Sequence, residues 1–454
     1  ERNLYKNIIG NRLVFEEIHH ELGLAIRAAW AGCDEFGWVR TVPLENRGSA
    51  KTRITLLDGL RNVLPYGAPL SLYQQSSNLV DAYKKTEADP ETGLGIFSLT
   101  AGITDRAEAV EVLRANTVWC CGLEGRRIHL SAAAAEAFRN DRVITGETEQ
   151  NGARGNYLVS SSFELEAQGS TRWRLVADTG QDHVQIAELR HRIRSRDDLD
   201  AAIEAALVHG RERLRRNVGS ADGLQLTGRT ETWSHHFANV LFNNMRGGVF
   251  DRNYEVPVAD FLDFLGVRDR TVRDRFQARL AELPERVKMQ DLRDLARGSD
   301  DADFIRLCHE YLPLYFGRRH GDPSRPWNRF AIHIKDDQGR PVYAYQGNWR
   351  DIFQNWESLA WSYPGYLESM ISLFLNASTA DGYNPYRITR EGIDWEIEDP
   401  HDPWSHIGYW GDHQVVYLLR LLETAERFFP GTLDAGLRAC RFAYADVPYR
   451  IGGF

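Results

Sequence analysis

The chain has 454 residues, a mass of 51.9 kDa and a formal net charge of −9, from 55 Lys and Arg against 64 Asp and Glu. Hydrophobic residues at 43% and charged residues at 26% are globular usage, which excludes a disordered chain, a collagen-like chain and a coiled-coil rod. The acidic balance argues against nucleic acid as a partner, and no run of about 18 apolar residues is present to span a membrane.

The first 190 residues predict a β-sandwich domain. NRLVFEEIH, FGWVRTVPLEN, KTRITLLDGL, LRANTVWCCGL, NYLVSSSFELEA and TRWRLVADTG alternate or cluster β-branched and aromatic residues between turn residues. DRAEAVEVLRAN and SAAAAEAFRND are the helical candidates within this part. Five cysteines, Cys33, Cys120, Cys121, Cys308 and Cys440, show no metal spacing and no disulfide framework, so a reducing, cytoplasmic location is expected.

The composition shifts near residue 190. RSRDDLDAAIEAALVHGRERLRRNVG is charged, Ala/Leu-rich and helical in period, and residues 191–227 read as a helical linker. Residues 228–454 read as helices separated by Gly, Pro and Asp-rich loops. The candidates are ETWSHHFANVLFNNMRGG, VADFLDFLG, TVRDRFQARLAEL, DADFIRLCHEYLPLYF, WRDIFQNWESLAWS, YLESMISLFLNAS, HQVVYLLRLLETAERFF and LDAGLRACRFAYA. The expected fold is therefore α+β and multidomain: a β-sandwich, a helical linker, and an (α/α) toroid of paired hairpins that stops short of a closed (α/α)6 barrel. The chain is read as a fragment of a longer protein or as a smaller array.

Aromatic residues concentrate late, with 7 of the 12 Trp beyond residue 320. They serve either as core or as stacking platforms for sugar rings. Within YAYQGNWRDIFQNWE, Gly347 and Asn348 predict a turn before a helix whose first turn holds Trp349, Arg350 and Asp351. Asp351, Gln354 and Asn355 follow at helical spacing, so the cluster offers donors, acceptors and a ring to a polyhydroxylated ligand.

The stretch 381–414 holds eight Asp or Glu, three His, three Trp and three Tyr, and reads as a long loop between helices. Glycosidic chemistry needs paired carboxylates. The candidates are Asp394, Glu396, Asp399, Asp402 and Asp412, with Trp410 and His413 as sugar contacts. Asp412 also reads as an N-cap for the helix after it. His401, His406 and His413 lack metal-binding helical spacing, so no metal and no cofactor are expected. Asn243, Asn244 and Arg246 before Gly247–Gly248 read as residues fixing the domain junction, with the Gly pair as a helix C-cap.

These segments resemble the inverting glycoside phosphorylases of glycoside hydrolase family 94, formerly glycosyltransferase family 36, within the six-hairpin glycosidase superfamily. Trp349-Arg350-Asp351-Ile352-Phe353-Gln354-Asn355 is similar to that family's F-R-D-x-x-Q-D run. Leu241–Phe250 resembles the segment that opens its barrel, and Trp410-Gly411-Asp412 resembles its S-D-D turn. The resemblance implies a supersandwich-like N-terminal domain and places Arg350, Asp351 and Gln354 against the −1 sugar, and Trp349 is expected to help hold that sugar. It implies an oligosaccharide or disaccharide substrate, inorganic phosphate as co-substrate, and inversion. Asp394, Glu396 or Asp412 would supply acid or base. No D-W-N-D run, the family's general-acid motif, occurs in the sequence, so an inverting hydrolase and a non-catalytic glycan-binding protein stand as alternatives. An epimerase using His406 and His413 is a third. The partner expected beyond the sugar is a second copy of the chain or a further C-terminal portion.

Overall fold

The computed structural model describes residues 1–454 except 105, 106, 109, 196, 197, 226, 316, 317, 321–330, 333, 334, 337–339, 396–400, 402–413, 440 and 448–454; for 318–320, 331 and 332 it describes the backbone. It is an α+β chain with a large antiparallel sheet and many helices, in two units, Glu1–Leu214 and Arg215–Phe454. The division falls inside the segment 191–227.

The first unit carries twelve strands among the described residues: β1 (Arg2–Lys6), β2 (Arg12–His19), β3 (Leu24–Cys33), β4 (Gly37–Asn46), β5 (Thr52–Val63), β6 (Lys84–Ala88), β7 (Gly95–Leu99), β8 (Arg114–Cys121), β9 (Arg127–His129), β10 (Glu149–Asn151), β11 (Gly155–Leu165) and β12 (Ser170–Asp182). Its helices are α1 (Leu70–Gln75), α2 (Ser77–Tyr83), α3 (Ala133–Arg139), α4 (His183–Ser195) and α5 (Leu199–Ser220), the last running across the division. Nine strands form one antiparallel sheet in the order β1-β2-β3-β4-β12-β8-β7-β6-β10, and β5-β11-β9 form a second.

Strand period explains the layers. Alternate residues of β8 and β12 face opposite ways. Val118, Cys120, Trp173 and Leu175 enter the core shared with β5 and β11, where Ile54, Tyr157 and Val159 meet them. Trp119 and Val176 face the other side, against Ile193, Leu199 and Ile203 of α4 and α5. The buried indole of Trp173 donates to Asp58 Oδ2 at 2.7 Å, tying the two sheets. The neighbouring Cys120 and Cys121 therefore lie on different faces. Burial pushes their thiols up to about 12 and about 11.

The run DRAEAVEVLRAN does not form the expected helix. Its described residues before Arg114 are non-helical, and its last three enter β8, where pairing with β7 and β12 overrides the local Ala/Glu propensity.

The second unit holds α6 (Thr230–Gly247), α7 (Val258–Arg268), α8 (Arg270–Ala281), α9 (Met289–Arg297), α10 (Ala302–Glu310), α11 (Trp349–Ser362), α12 (Leu367–Ala377), α13 (Val415–Phe428) and α14 (Thr432–Arg438). Short strands join them: β13 (Glu255–Pro257) with β14 (Arg286–Lys288), β15 (Arg318–His320) with β16 (Ala331–Ile332), and β17 (Gln346–Asn348), β18 (Arg387–Thr389) and β19 (Ile393–Asp394) in one three-stranded sheet. One core built from α7 to α13 includes Phe261, Leu307, Phe353, Trp356, Met370 and Leu421. Gly248 ends α6 at φ 97°, a conformation open to glycine, and its N–H closes the helix on Asn244 O at 2.8 Å. Among the described residues no helix is long and apolar enough to cross a membrane.

Candidate functional site

β17 runs directly into α11. Asn348 takes the N-cap position without a side-chain cap, and the first helical N–H, that of Trp349, donates to Tyr386 O at 3.0 Å. The residue before β18 thus satisfies one of the N–H groups that a helix start leaves open.

The buried side of α11 is apolar apart from two residues, Asp351 and Asn355, spaced four apart. Gln354, expected on the same face as Asp351 and Asn355, is exposed: Asp351 lies at the edge of the buried arc, and Gln354 falls about 60° beyond that edge. Arg350 Nε stands 3.5 Å from Asp351 Oδ1. Arg350 is half-buried and Asp351 is 6% exposed, so the pair runs from the surface inward. Trp349 lies in the core. Its ring meets Phe353 at 4.7 Å and Phe374 at 4.9 Å between centroids, and it is fully buried.

The three-stranded sheet joins this helix start to the second candidate segment. Asn348 pairs with Arg387, and Arg387 with Asp394. Tyr386 N–H donates to Asp394 O at 3.0 Å. Arg387 Nε donates to Asp394 Oδ2 at 2.6 Å. The stretch expected to be one long loop therefore begins as two strands, and Asp394 sits two strands across from the residue preceding Trp349. Glu396, Trp410, Asp412 and His413, with Asp399, Asp402 and His406, lie outside the described residues. The N-cap position of α13 belongs to Gln414 rather than Asp412.

Two features escaped the sequence reading. The first is an anchor under the sheet. Arg390 donates to Asp260 Oδ1 at 2.7 Å and to Asp263 Oδ2 at 3.0 Å, Tyr311 Oη donates to Asp260 Oδ2 at 2.6 Å, and Arg390 N–H reaches Tyr345 O at 3.0 Å. Burial pushes the Asp260 carboxyl up against the pull of Arg390. Residues 130 positions apart leave no local signal.

The second is a set of neutral amides. α6 and α13 each pack against α11. A Cβ on Gly247 would lie 3.2 Å from Asn355 O, and Phe250 meets the ring of Tyr363 at 4.9 Å, so the end of α6 runs along α11 in the same direction. Glu357 lies 3.6 Å from Arg420, and the rings of Trp361 and Phe428 are 5.5 Å apart, so α13 shares that direction too. Asn244, Asn355 and Gln414 are buried toward one end of this layer. Among the described residues no group of three or more His, Cys, Asp or Glu could hold a metal ion.

Residues 250–313, which span α7 to α10, match the model of glycoside hydrolase family 149 insertion domain 1. No curated protein matches the chain. A bacterial glucoamylase complexed with acarbose is 9% identical, covering 88% of this chain and 62% of its own, with a TM-score of 0.31. A human-microbiome protein described as a kojibiose phosphorylase is 9% identical over 93% of this chain and 46% of its own, with a TM-score of 0.27. Heparinase III with methylated lysines is 12% identical over 40% and 21%, with a TM-score of 0.22. The chain thus spans less than two thirds of each of these structures, and superpositions at such scores do not establish a shared fold. The insertion-domain match is what supports a carbohydrate-active protein of the glycoside hydrolase and phosphorylase class.

Proposed function

We propose that the chain, alone or as part of a longer protein, acts on a glycosidic bond, with Arg350, Asp351 and Gln354 holding a sugar ring at the start of α11. The observation that carries this reading is the β17–β18–β19 sheet, in which Asp394 lies two strands across from Asn348, the residue before the helix that holds the Arg350–Asp351 pair. A carboxylate and a guanidinium at a helix start offer a pyranose directional acceptors and donors, and a second carboxylate nearby supplies an acid or base. The helical unit is read as an (α/α) toroid, which the shared direction of α6, α11 and α13 supports.

In the inverting scheme a carboxylic acid protonates the leaving oxygen, while phosphate, or water activated by a second carboxylate, attacks the opposite face. Phosphate is the preferred acceptor on the resemblance to family 94 phosphorylases. Asp394 is the described candidate for the acid or base, and both contacts from Arg387 use its Oδ2. Glu396 and Asp412 remain candidates for the same role, with Trp410 and His413 as further sugar contacts.

The test is to incubate the purified chain with oligosaccharides, with and without inorganic phosphate. Phosphorolysis gives a sugar 1-phosphate, and hydrolysis gives reducing sugar in both conditions. Asp351→Asn is expected to cut kcat/KM by about 100-fold, the usual scale for a group that contacts the transition state. Full turnover in Asp351→Asn would sink the assignment. The absence of a D-W-N-D run favours a second reading, glycan binding without turnover, in which wild type binds oligosaccharides and neither product forms.

A further inference from the structure

We infer that Ser160 on β11 is a nucleophile activated by His129 on β9 and cleaves a small carboxylic ester; the inference stands apart from the sugar site. β11 carries three serines in a row, and each hydroxyl has a different partner. Ser161 is buried and donates to Glu124 O at 2.7 Å, and Ser162 Oγ lies 3.0 Å from Thr55 Oγ1. Ser160 Oγ lies 2.8 Å from His129 Nε2, and His129 Nδ1 lies 2.9 Å from Thr145 O.

Bonding rules fix where the protons sit. A carbonyl oxygen only accepts, so Nδ1 carries the hydrogen and donates to Thr145 O. In the neutral imidazole Nε2 is then the acceptor, and the Ser160 hydroxyl donates to it. This is the orientation in which a histidine takes a serine proton as general base, with an acceptor behind the ring holding the tautomer. The segment carrying that acceptor is itself clamped to β9. Glu147 N–H donates to Ile128 O at 3.0 Å, and Glu147 Oε2 accepts from the N–H groups of Leu130 and Ser131 at 2.8 and 2.6 Å.

Burial falls along this face of β11. Leu158 is buried, Ser160 half-buried and Ser162 exposed, while His129 is 0% exposed. The base is shielded from water and the hydroxyl stands at the border of solvent. Arg127 of β9 lies opposite Ser160 on one side and Leu57 of β5 on the other, so the three share a face. Arg127 is exposed, and among the described residues nothing engages its guanidinium. An ester fits this row with its carbonyl oxygen toward Arg127 and a short acyl chain toward Leu57. Ser160 Oγ attacks the carbonyl carbon as its proton passes to Nε2, and the C=O electron pair moves onto the oxygen beside Arg127. The adduct collapses, the C–O bond to the alcohol breaks, and Nε2 returns the proton to the leaving oxygen. Water repeats the sequence on the acyl-serine, which releases the carboxylic acid and restores Ser160. A carbonyl behind the ring lends no negative charge to the imidazolium, so turnover is expected to be slow.

The experiment treats the full chain with an alkyl fluorophosphonate, whose fluoride leaves as Oγ bonds to phosphorus, and locates the adduct by intact mass and peptide mapping. Release of p-nitrophenolate from p-nitrophenyl acetate is followed alongside. One adduct is expected, on Ser160 and not on the more exposed Ser162. Ser160→Ala should lose the adduct and slow p-nitrophenolate release about 10-fold or more, and Ser162→Ala should change neither. Arg127→Met should slow both reactions about 10-fold at an unchanged melting temperature. His129→Gln should lose the adduct with Ser160 still in place; if it does not fold, the contrast between Ser160 and Ser162 carries the test. Labelling of Ser162 in place of Ser160, a folded wild type without an adduct on Ser160, or ester cleavage undiminished in Ser160→Ala would overturn the inference. Undiminished rates in Arg127→Met would overturn the role given to Arg127.

Discussion

Glu368 on α12 is where three basic side chains meet. Arg293 Nη1 and His309 Nδ1 each lie 3.3 Å from Glu368 Oε2, and Arg441 reaches Oε1. Burial pushes this carboxyl up, but the closeness of His309 and the charges of Arg293 and Arg441 outweigh it and hold the pKa at about 2. The folded value lies below the ordinary 4.5, so the carboxylate's stabilisation is complete above about pH 4.5 and is lost as pH falls toward 2. Glu368→Gln should lower stability at neutral pH by about 3 kcal/mol, because it strands buried cations. It should also flatten the loss of stability between pH 4.5 and 2, as read by urea unfolding across that range. At this scale the sequence was partly legible. The preference of acids for a first helical turn points to Asp351. Nothing local tells a Trp on the same turn whether it faces solvent or core, and Trp349 went inside. Asn244 stood in view as one of two adjacent asparagines, but its lack of a partner is a property of three dimensions. Gln414 carries no motif at all.

Among the elements, the sheet of β17, β18 and β19 does more for the site than its eight residues suggest. Its central residue, Ile388, is fully buried against the core of the helical unit. Ile388→Ala should cost about 2–4 kcal/mol, as other large-to-small core changes do. It should also weaken sugar binding, because it loosens the link between Asn348 and Asp394. A melt paired with an oligosaccharide titration separates a stability loss alone from one that carries binding with it. Helices with an apolar stripe, such as those at Thr230–Gly247 and Trp349–Ser362, were legible from period. Strands of two or three residues have no period to read. β3 is rich in Ala, so its pattern does not announce a strand, and only pairing with β2 and β4 makes it one.

At the scale of the molecule, each unit owns a core, built in the first from sheets and helices and in the second from helices. The order of β-rich then helix-rich sequence made that division readable, since burying one face of a strand and one stripe of a helix demands different periods. What it could not supply is how the helices pair, which depends on contacts between distant segments. The net charge of −9 bears on partners. If the ligand is an uncharged glycan, its dissociation constant should change less than about twofold between 50 and 500 mM salt. A steep fall in affinity over that range would mark an ionic ligand instead.

The pairing of Asn348 with Arg387 and of Arg387 with Asp394 behaves like a vernier. Side chains on a strand alternate between faces, so a slip of one residue would turn Asp394 to the opposite side while leaving the backbone almost where it was. Chain length is therefore constrained inside the hairpin from Arg387 to Asp394. A residue inserted at Gly392 that moved this register by one would swing the Asp394 carboxylate away from Arg387 with hardly any change in the path of the chain.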